Sequence, residues 1–358
     1  MKFLKQEIQN EKGIVLIWFY LLVVLLLAST ASIYALSFQE SQLLHMDQAR
    51  NKAFYLAEAG IDDMLQTLRT TGDPGPLPIP GTLGGGNYSV TYDANRGIVE
   101  STGTSPVGND QITKIIRAKV ELITPPGIKA PITSNSDVSL TGNIAIDGRN
   151  HVYNADTGQW EVSGAGTYGV SSTGIVMQGG SSMIGGNGIA PTAFPDSTPA
   201  IEQNTTSIYA DPTNPTPEEA LGLAPGSLDN DTSVKRRAPE PGESGIFYLT
   251  SDWIGAQFGT EDNPTTGVLI LHNADGDATL KNANGGYFKG LIIADDVIHL
   301  NGTLNVIGGI VLNNSSGNTL GNGGADVKYS ETVLSNLPTS QFEIISWEDT
   351  QNTPYNYS

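Results

Sequence analysis

The sequence predicts an α+β protein. One long N-terminal helix is transmembrane and then amphipathic, a small antiparallel β-meander follows, and a parallel β-solenoid completes the chain, with a β-sandwich head as the alternative for that last part. Three observations predict this. No charged side chain stands between Ile14 and Gln39, and helical spacing continues beyond that run. Period-two alternation appears between residues 88 and 122. From about residue 128, short apolar bursts are cut by Gly, Asn and Asp corners at a spacing near 19 residues.

Residues 14–36 supply 23 positions dominated by Ile, Val, Leu, Trp, Phe and Tyr, and about 20 such residues span a bilayer. A secretory signal has an apolar core of roughly 7–15 residues before a small-residue cleavage site. "ASTAS" at 28–32 mimics such a site, but the run is too long for it. Lys2, Lys5 and Lys12 precede the run and no basic cluster follows it, which predicts an N-terminus inside the cytoplasm. Beyond Glu40, apolar residues recur at Leu43, Met46, Ala49, Ala53, Ala57, Ile61, Met64 and Leu68, in steps of three and four. No proline interrupts residues 14–69, so one rod of 56 residues, about 84 Å long, is expected. Gly60 is its single weak point, at about 1 kcal/mol relative to alanine.

A short basic leader ending in Gly13, followed by an apolar helix that turns amphipathic, resembles a class III leader of the type IV pilin superfamily. "DQARNKAFYLAEAGID" is similar to the corresponding run of PilX-type minor pilins, and the resemblance covers roughly residues 10–70. It implies a leader over 1–13, cleavage by a prepilin peptidase after Gly13, and N-methylation of Ile14. Major pilins carry a glutamate at mature position five; here Trp18 stands there, which points to a minor or tip-proximal subunit.

The stretch 70–86 ends the helix, because Gly72, Pro74, Pro76, Pro78 and Pro80 cannot continue it. A small antiparallel region is expected over 71–124. Tyr88, Val90 and Tyr92 alternate with polar residues, as do Ile116, Ala118, Val120 and Leu122, and "GIVESTGTS" lies between them as a third strand. Residues 125–347 are expected to form the solenoid, with a tail over 348–358. "KGLIIADD" (289) aligns with "GGIVLNNS" (308), and "DATLKN" (277) with "DVIHLN" (296). The bursts "VLIL" (268–271), "LIIA" (291–294) and "IVLN" (310–313) are then expected at equivalent rung positions, with Ile292 and Val311 pointing inward. The stretch 190–245, rich in Pro, Thr, Asn and Asp, reads as an excursion with a short helix starting near Pro217.

The formal charge is −19, from 18 Lys and Arg against 37 Asp and Glu. Such a chain repels phosphate backbones, so no nucleic acid is expected as a partner. With no cysteine there is neither a disulfide nor a thiolate metal site, and redox compartment stays open. Asp295 and Asp296 form an adjacent acid pair of the kind β-helix glycan hydrolases use, with only Lys289 and His299 near in sequence; they read better as solvated corner carboxylates. Asn273, Asp275 and Asp277 with Gly276 suggest half a calcium loop, but Asn284 stands where a bidentate acid belongs. "DNDTS" (229–233) has the same weakness. His45, His151, His272 and His299 are scattered without metal-ligand spacing.

These features predict no catalytic residue, metal or cofactor. The expected function is that of a minor pilin, a structural or adhesive subunit of a type IV pilus or secretion filament. Its partners would be other pilins, the prepilin peptidase, the membrane, and a surface or glycan ligand. It would sit in the cytoplasmic membrane before assembly and outside the cell in the filament. The alternatives are a membrane-anchored β-helix protein that acts on or binds polysaccharide, and an anchored scaffold that never enters a filament.

Overall fold

The computed structural model describes residues 3–71, 74–193, 199–313, 320 and 324–350. Residues 1–2 of the expected leader and 351–358 of the expected tail lie outside the described residues. The chain forms two compact units: one runs to Glu121 and takes in the segment from Ile344, the other runs from Leu122 to Glu343.

In the first unit a single helix, α1 (Phe3–Thr71), is 69 residues long, about 104 Å at 1.5 Å per residue. It stops where the proline-rich stretch begins. Four strands follow: β1 (Ile79–Leu83), β2 (Gly86–Asp93), β3 (Ile98–Val107) and β4 (Asp110–Ile123). They form an antiparallel meander that buries Val90, Val99, Ile116, Ala118 and Val120. The face of α1 turned to this sheet is Ala49, Ala53, Leu56, Ala57, Ile61, Met64, Leu65 and Leu68, all buried. This is the stripe the spacing predicts, except that Leu43 is exposed and Met46 half-buried.

Gly60 has a packing reason. A Cβ there would fall on Ser101 Oγ and against Tyr88, while one on Gly103 of β3 would fall on the α1 backbone at Ala53 and Ala57. Small residues on both surfaces let helix and sheet approach closely. The sheet then takes a fifth strand, Gln341–Asp349, beside β4, with Lys114 paired to Asp349 at 2.7 Å. The sequence assigns most of that strand to the solenoid. Its apolar residues Ile344, Ile345 and Trp347 belong instead to the N-terminal sheet, because β4 offers a long free edge for them.

The second unit is a stack of parallel strands winding around three faces. On the first face 244–249 pairs with 265–271, then 287–294, then 305–312, then 132–134, then 170–172, then 201–202. The second face stacks 253–254, 279–281 and 296–298. The third stacks 283–286, 300–304, 324–327, 145–147 and 183–185, and is capped by the antiparallel strand Ile189–Ala193. This is the parallel solenoid, but chain order is not stacking order. Ile132–Ser134 sits between Ile310–Leu312 and Val170–Ser172. The chain starts mid-stack, builds outward to residue 202, crosses through 203–233, restarts at Val234 and closes onto its own first rung. The excursion is therefore shorter than 190–245: strands Ile189–Ala193, Ile201–Glu202, Val234–Lys235 and the start of Ser244–Leu249 remain inside the stack. Its helix Pro217–Leu221 begins where expected, with Thr216 accepting from the Glu219 N–H and Gly222 closing it at φ +71°.

The register corrects the sequence alignment. Gly290 pairs with Gly308 and Ile292 with Ile310, an offset one residue shorter than the alignment of "KGLIIADD" with "GGIVLNNS". Thr279 pairs with Asp296, so "DATLKN" is misplaced by two. "VLIL" and "LIIA" do occupy equivalent positions, Val268 with Leu291. "IVLN" is shifted by one, and a one-residue slip changes the face. Val311 consequently does not point inward. It lies in a second core where Tyr209, Ala220, Leu221 and Leu228 of the excursion cover Ile246, Val268, Ile270, Leu291 and Ile293. Ile292 faces the inner core with Phe247, Leu269, Phe288 and Ile310. With both faces of this sheet buried, its strands read as continuous apolar runs without alternation, so sequence could not fix the register.

Candidate functional site

From Val15 to Leu44 every large apolar side chain of α1 is exposed, Trp18 at 69%. This stretch is long and apolar enough to cross a membrane. The hydroxyls of "ASTAS" need no water: Ser29 donates to Leu25 O at 2.7 Å, Thr30 to Leu27 O at 2.9 Å and Ser32 to Ala28 O at 2.9 Å. Turning inward onto the helix is how such side chains tolerate hydrocarbon. The backbone of Gly13 and Ile14 continues the same helix.

In the solenoid, each strand of the first face ends at a corner where polar residues stack. His272, Asp295, Asn313 and Asn135 follow the aligned positions Leu271, Ala294, Leu312 and Ser134, and the N–H groups of His272, Asp295, Asn313 and Asn135 donate to Leu249, Leu271, Ala294 and Leu312. Asp295 is fully buried. It accepts from His272 Nδ1 at 2.6 Å, the Asn273 N–H at 3.1 Å, the Ala278 N–H at 3.2 Å and Asn313 Nδ2 at 3.3 Å. The buried Tyr209 hydroxyl donates to Asn313 Oδ1, and Asn135 donates to Pro212 O at 3.0 Å, so the ladder also fastens the excursion. Burial first, and then the negative charges of Glu219 and Asp295, push the Tyr209 phenol up, keeping it a proton donor.

The pair read as solvated corner carboxylates is thus corrected. Asp295 is a buried hub, and Asp296 is 6% exposed, with Oδ1 accepting from the Val297 N–H at 2.8 Å. The corner that turns the chain from the first face to the second supplies the Asn273 and Ala278 N–H donors that offset the cost of burial. Sequence reasoning missed Tyr209 and Asn313. The available signal was that "VLIL", "LIIA" and "IVL" are each followed at once by a polar residue.

Asp296 also lines an open recess of about 710 Å³ with Asp252, Asn273, Asp275, Asp277 and Lys281. Lys281 lies 2.6 Å from Asp252, and that bond holds the Asp252 carboxyl below its usual range, so it is an ionised acceptor. Asn273 and Asp277 are spent on each other: Asn273 Nδ2 donates to Asp277 Oδ1 at 2.8 Å, and the Asp277 N–H donates to Asn273 Oδ1 at 3.1 Å. That is turn chemistry, with Gly276 at φ +67°. Among the described residues no group of three His, Asp or Glu side chains is placed to hold a metal.

No family model matches this chain, and no curated protein matches it. The chain is similar to the crystal structure of the competence-associated pilin ComZ from Thermus thermophilus at 10% identity, over 84% of this chain and 98% of that one, with a TM-score of 0.24. A likeness that loose carries no argument about this chain.

The remaining histidines separate. His45 is exposed on α1 and His299 sits on a strand at φ +58°. His151 is buried, its Nε2 3.4 Å from Asp147. It starts a hairpin, Asn150–Asn154 with Gln159–Gly164, whose Tyr153 and Trp160 rings pack at 5.6 Å with Lys289 Nζ over both. Lys289 is therefore not beside the acid pair in a catalytic arrangement; it is held in this aromatic clasp. Of these groupings, α1 leaves its first part as bare apolar surface and packs its last part on the sheet, the corner ladder joins strands and excursion, and the recess gathers polar side chains.

Proposed function

We propose that this chain is a minor subunit of a type IV filament, either a pilus or a secretion filament, with a structural or adhesive role. The observation that carries the reading is α1: one unbroken helix whose first part is bare apolar surface and whose last part is packed on a small antiparallel sheet. A helix of that kind serves twice, first in the bilayer and then among other apolar helices. On this reading a prepilin peptidase cuts between Gly13 and Ile14, and Ile14 becomes N-methylated. Before assembly the helix crosses the cytoplasmic membrane once with its N-terminus on the cytoplasmic side, and the solenoid is displayed outside. Trp18 in place of a glutamate cannot offer a carboxylate to a neighbour's terminal amine, so low copy number follows, early in assembly or at the tip. Mass spectrometry of the mature N-terminus tests the processing: N-methylated Ile14 is expected, and an intact Met1 in cells with an active prepilin peptidase, or cleavage near Ala31, would overturn it.

The recess around Asp252 and Asp296 favours a second reading, a membrane-anchored protein that binds or acts on polysaccharide. An Asp296→Asn variant that keeps its fold but loses glycan cleavage would establish an enzyme; with no cleavage by the native chain, the structural reading stands.

A further inference from the structure

We infer that the hairpin Asn150–Asn154 with Gln159–Gly164, together with Lys289, binds an acidic saccharide, one whose sugar rings carry carboxylates. The site lies within the second unit and joins residues far apart in sequence. Strand alternation puts Lys289 on the outer side of the first face. Its neighbours Phe288 and Ile292 belong to the inner core, and Leu291 and Ile293 to the outer one. In the hairpin, Tyr153 pairs with Trp160 and His151 with Val162, so these four share one face. His151 is buried at the base, its backbone N–H donating to Tyr329 O at 2.9 Å. Further along, Tyr153 is 54% exposed and Val162 45%.

The clasp leaves its donors unspent. Lys289 Nζ lies 5.3 Å from the centre of the Trp160 ring and 5.7 Å from that of Tyr153. Resting on rings, an ammonium keeps its N–H groups available for an anion. Among the described residues Lys289 has no ion pair and no hydrogen bond, although the chain carries a net charge of −19. The acids around it are committed elsewhere. Glu161 lies on the opposite face of the hairpin and accepts from Asn154 Nδ2 at 3.0 Å and Thr157 Oγ1 at 2.7 Å. Asp147 takes Arg149 at 2.6 Å. The Trp160 indole N–H and the Tyr153 hydroxyl also have no hydrogen-bond partner among the described residues. Donor groups without acceptors therefore surround two tilted rings whose centres are 5.6 Å apart.

That combination selects the ligand. Tyrosine and tryptophan each offer an apolar body with a polar tip, which suits a sugar: its C–H face lies on a ring and its hydroxyls meet the tips. A carboxylate on the sugar completes the set through a charge-assisted bond to Lys289. A neutral saccharide would leave the ammonium unmatched, and a cationic one would be repelled by it. This inference rests on the adhesive side of the filament reading and deepens it by naming the ligand class. It uses neither α1 nor the recess around Asp252.

The test uses the full chain in detergent micelles with dye-labelled short oligomers of galacturonate and of mannuronate, and their uncharged methyl esters as controls. Fluorescence anisotropy should show binding of the acidic oligomers only, weakening as salt is added. Lys289→Gln should bind about tenfold more weakly, Trp160→Ala should also bind more weakly, and Lys289→Arg should retain binding, all with an unchanged melting midpoint. Equal binding of acidic and esterified oligomers, no binding of either acid, or binding indifferent to Lys289→Gln and Trp160→Ala would overturn the inference. Loss of binding in Asp252→Asn while Lys289→Gln still binds would place the saccharide in the recess and also overturn it. A glutamate-rich peptide that binds more tightly than either oligomer would assign the clasp to an acidic protein segment, with the same consequence. None of these results bears on the mature N-terminus, so failure here is distinct from failure of the filament reading.

Discussion

Asp295 shows how one carboxylate can hold several strands. Oδ2 takes two backbone N–H groups and Oδ1 takes His272 and Asn313. Asparagine there must turn its own NH₂ toward one of those donor pairs, whichever way it is flipped. Each buried donor left unpaired costs about 1–3 kcal/mol, so Asp295→Asn should lower the unfolding midpoint clearly; an unchanged melting curve would show that the ladder is dispensable. Asp147 gives the pH counterpart. Burial acts to raise its carboxyl, but bonds from His151 and then Arg149, the latter at 2.6 Å, outweigh it and hold it well below the usual range. A depressed carboxyl stabilises the fold above its unfolded value, near 3.9, and this contribution is lost as pH falls through the lower folded value. Melting measured from pH 7 down to about pH 2 should therefore fall more steeply for the native chain than for Asp147→Asn.

Elements in this protein are positioned by what their surfaces lack. The α1 stripe Ala53, Ala57 and Gly60 meets Gly103 and Ser101 of β3, so the two backbones approach without side chains between them. Gly60→Val would drive methyl groups into Ser101 and Tyr88, and overpacking of this kind costs about 1–3 kcal/mol. Thermal unfolding of the variant in micelles should show that loss, and a native-like midpoint would mean that the sheet can retreat. In the solenoid a column of Gly245, Gly267, Gly290 and Gly308 adopts positive φ, and a Cβ on Gly290 would fall on the Gly267 carbonyl. The column, more than the aliphatic bursts around it, sets the register that the repeat alignment missed.

At the scale of the whole molecule, the solenoid is a three-layer object along its first face: inner core, sheet, and covering excursion. Ile292 and Val311 lie on opposite sides of that sheet and both have no exposure. Ile292→Asp and Val311→Asp should each bury an unpaired carboxylate, a penalty of several kcal/mol against a domain stability of roughly 5–15 kcal/mol. Limited proteolysis should find both variants cut rapidly within 122–343. If Val311→Asp alone stayed resistant, the excursion would be a loose cover rather than a second core. The same architecture explains why chain and stack order differ, since the crossing segment 203–233 does the covering.

The α+β class, the single apolar-to-amphipathic helix, the meander and the repeated short strands were legible in the sequence because each depends on local periodicity or on proline and glycine placed where only certain conformations are allowed. The helix-facing stripe and the start of the Pro217 helix followed from the same rules. Register, the mid-stack entry at Ile132, the return of Gln341–Asp349 to the first sheet and the burial of Asp295 were not legible. They depend on pairings between distant residues, and in a sheet covered on both faces the aliphatic pattern is equally good at neighbouring offsets. Only tertiary structure, by setting glycine over glycine and polar corner over polar corner, removed that degeneracy.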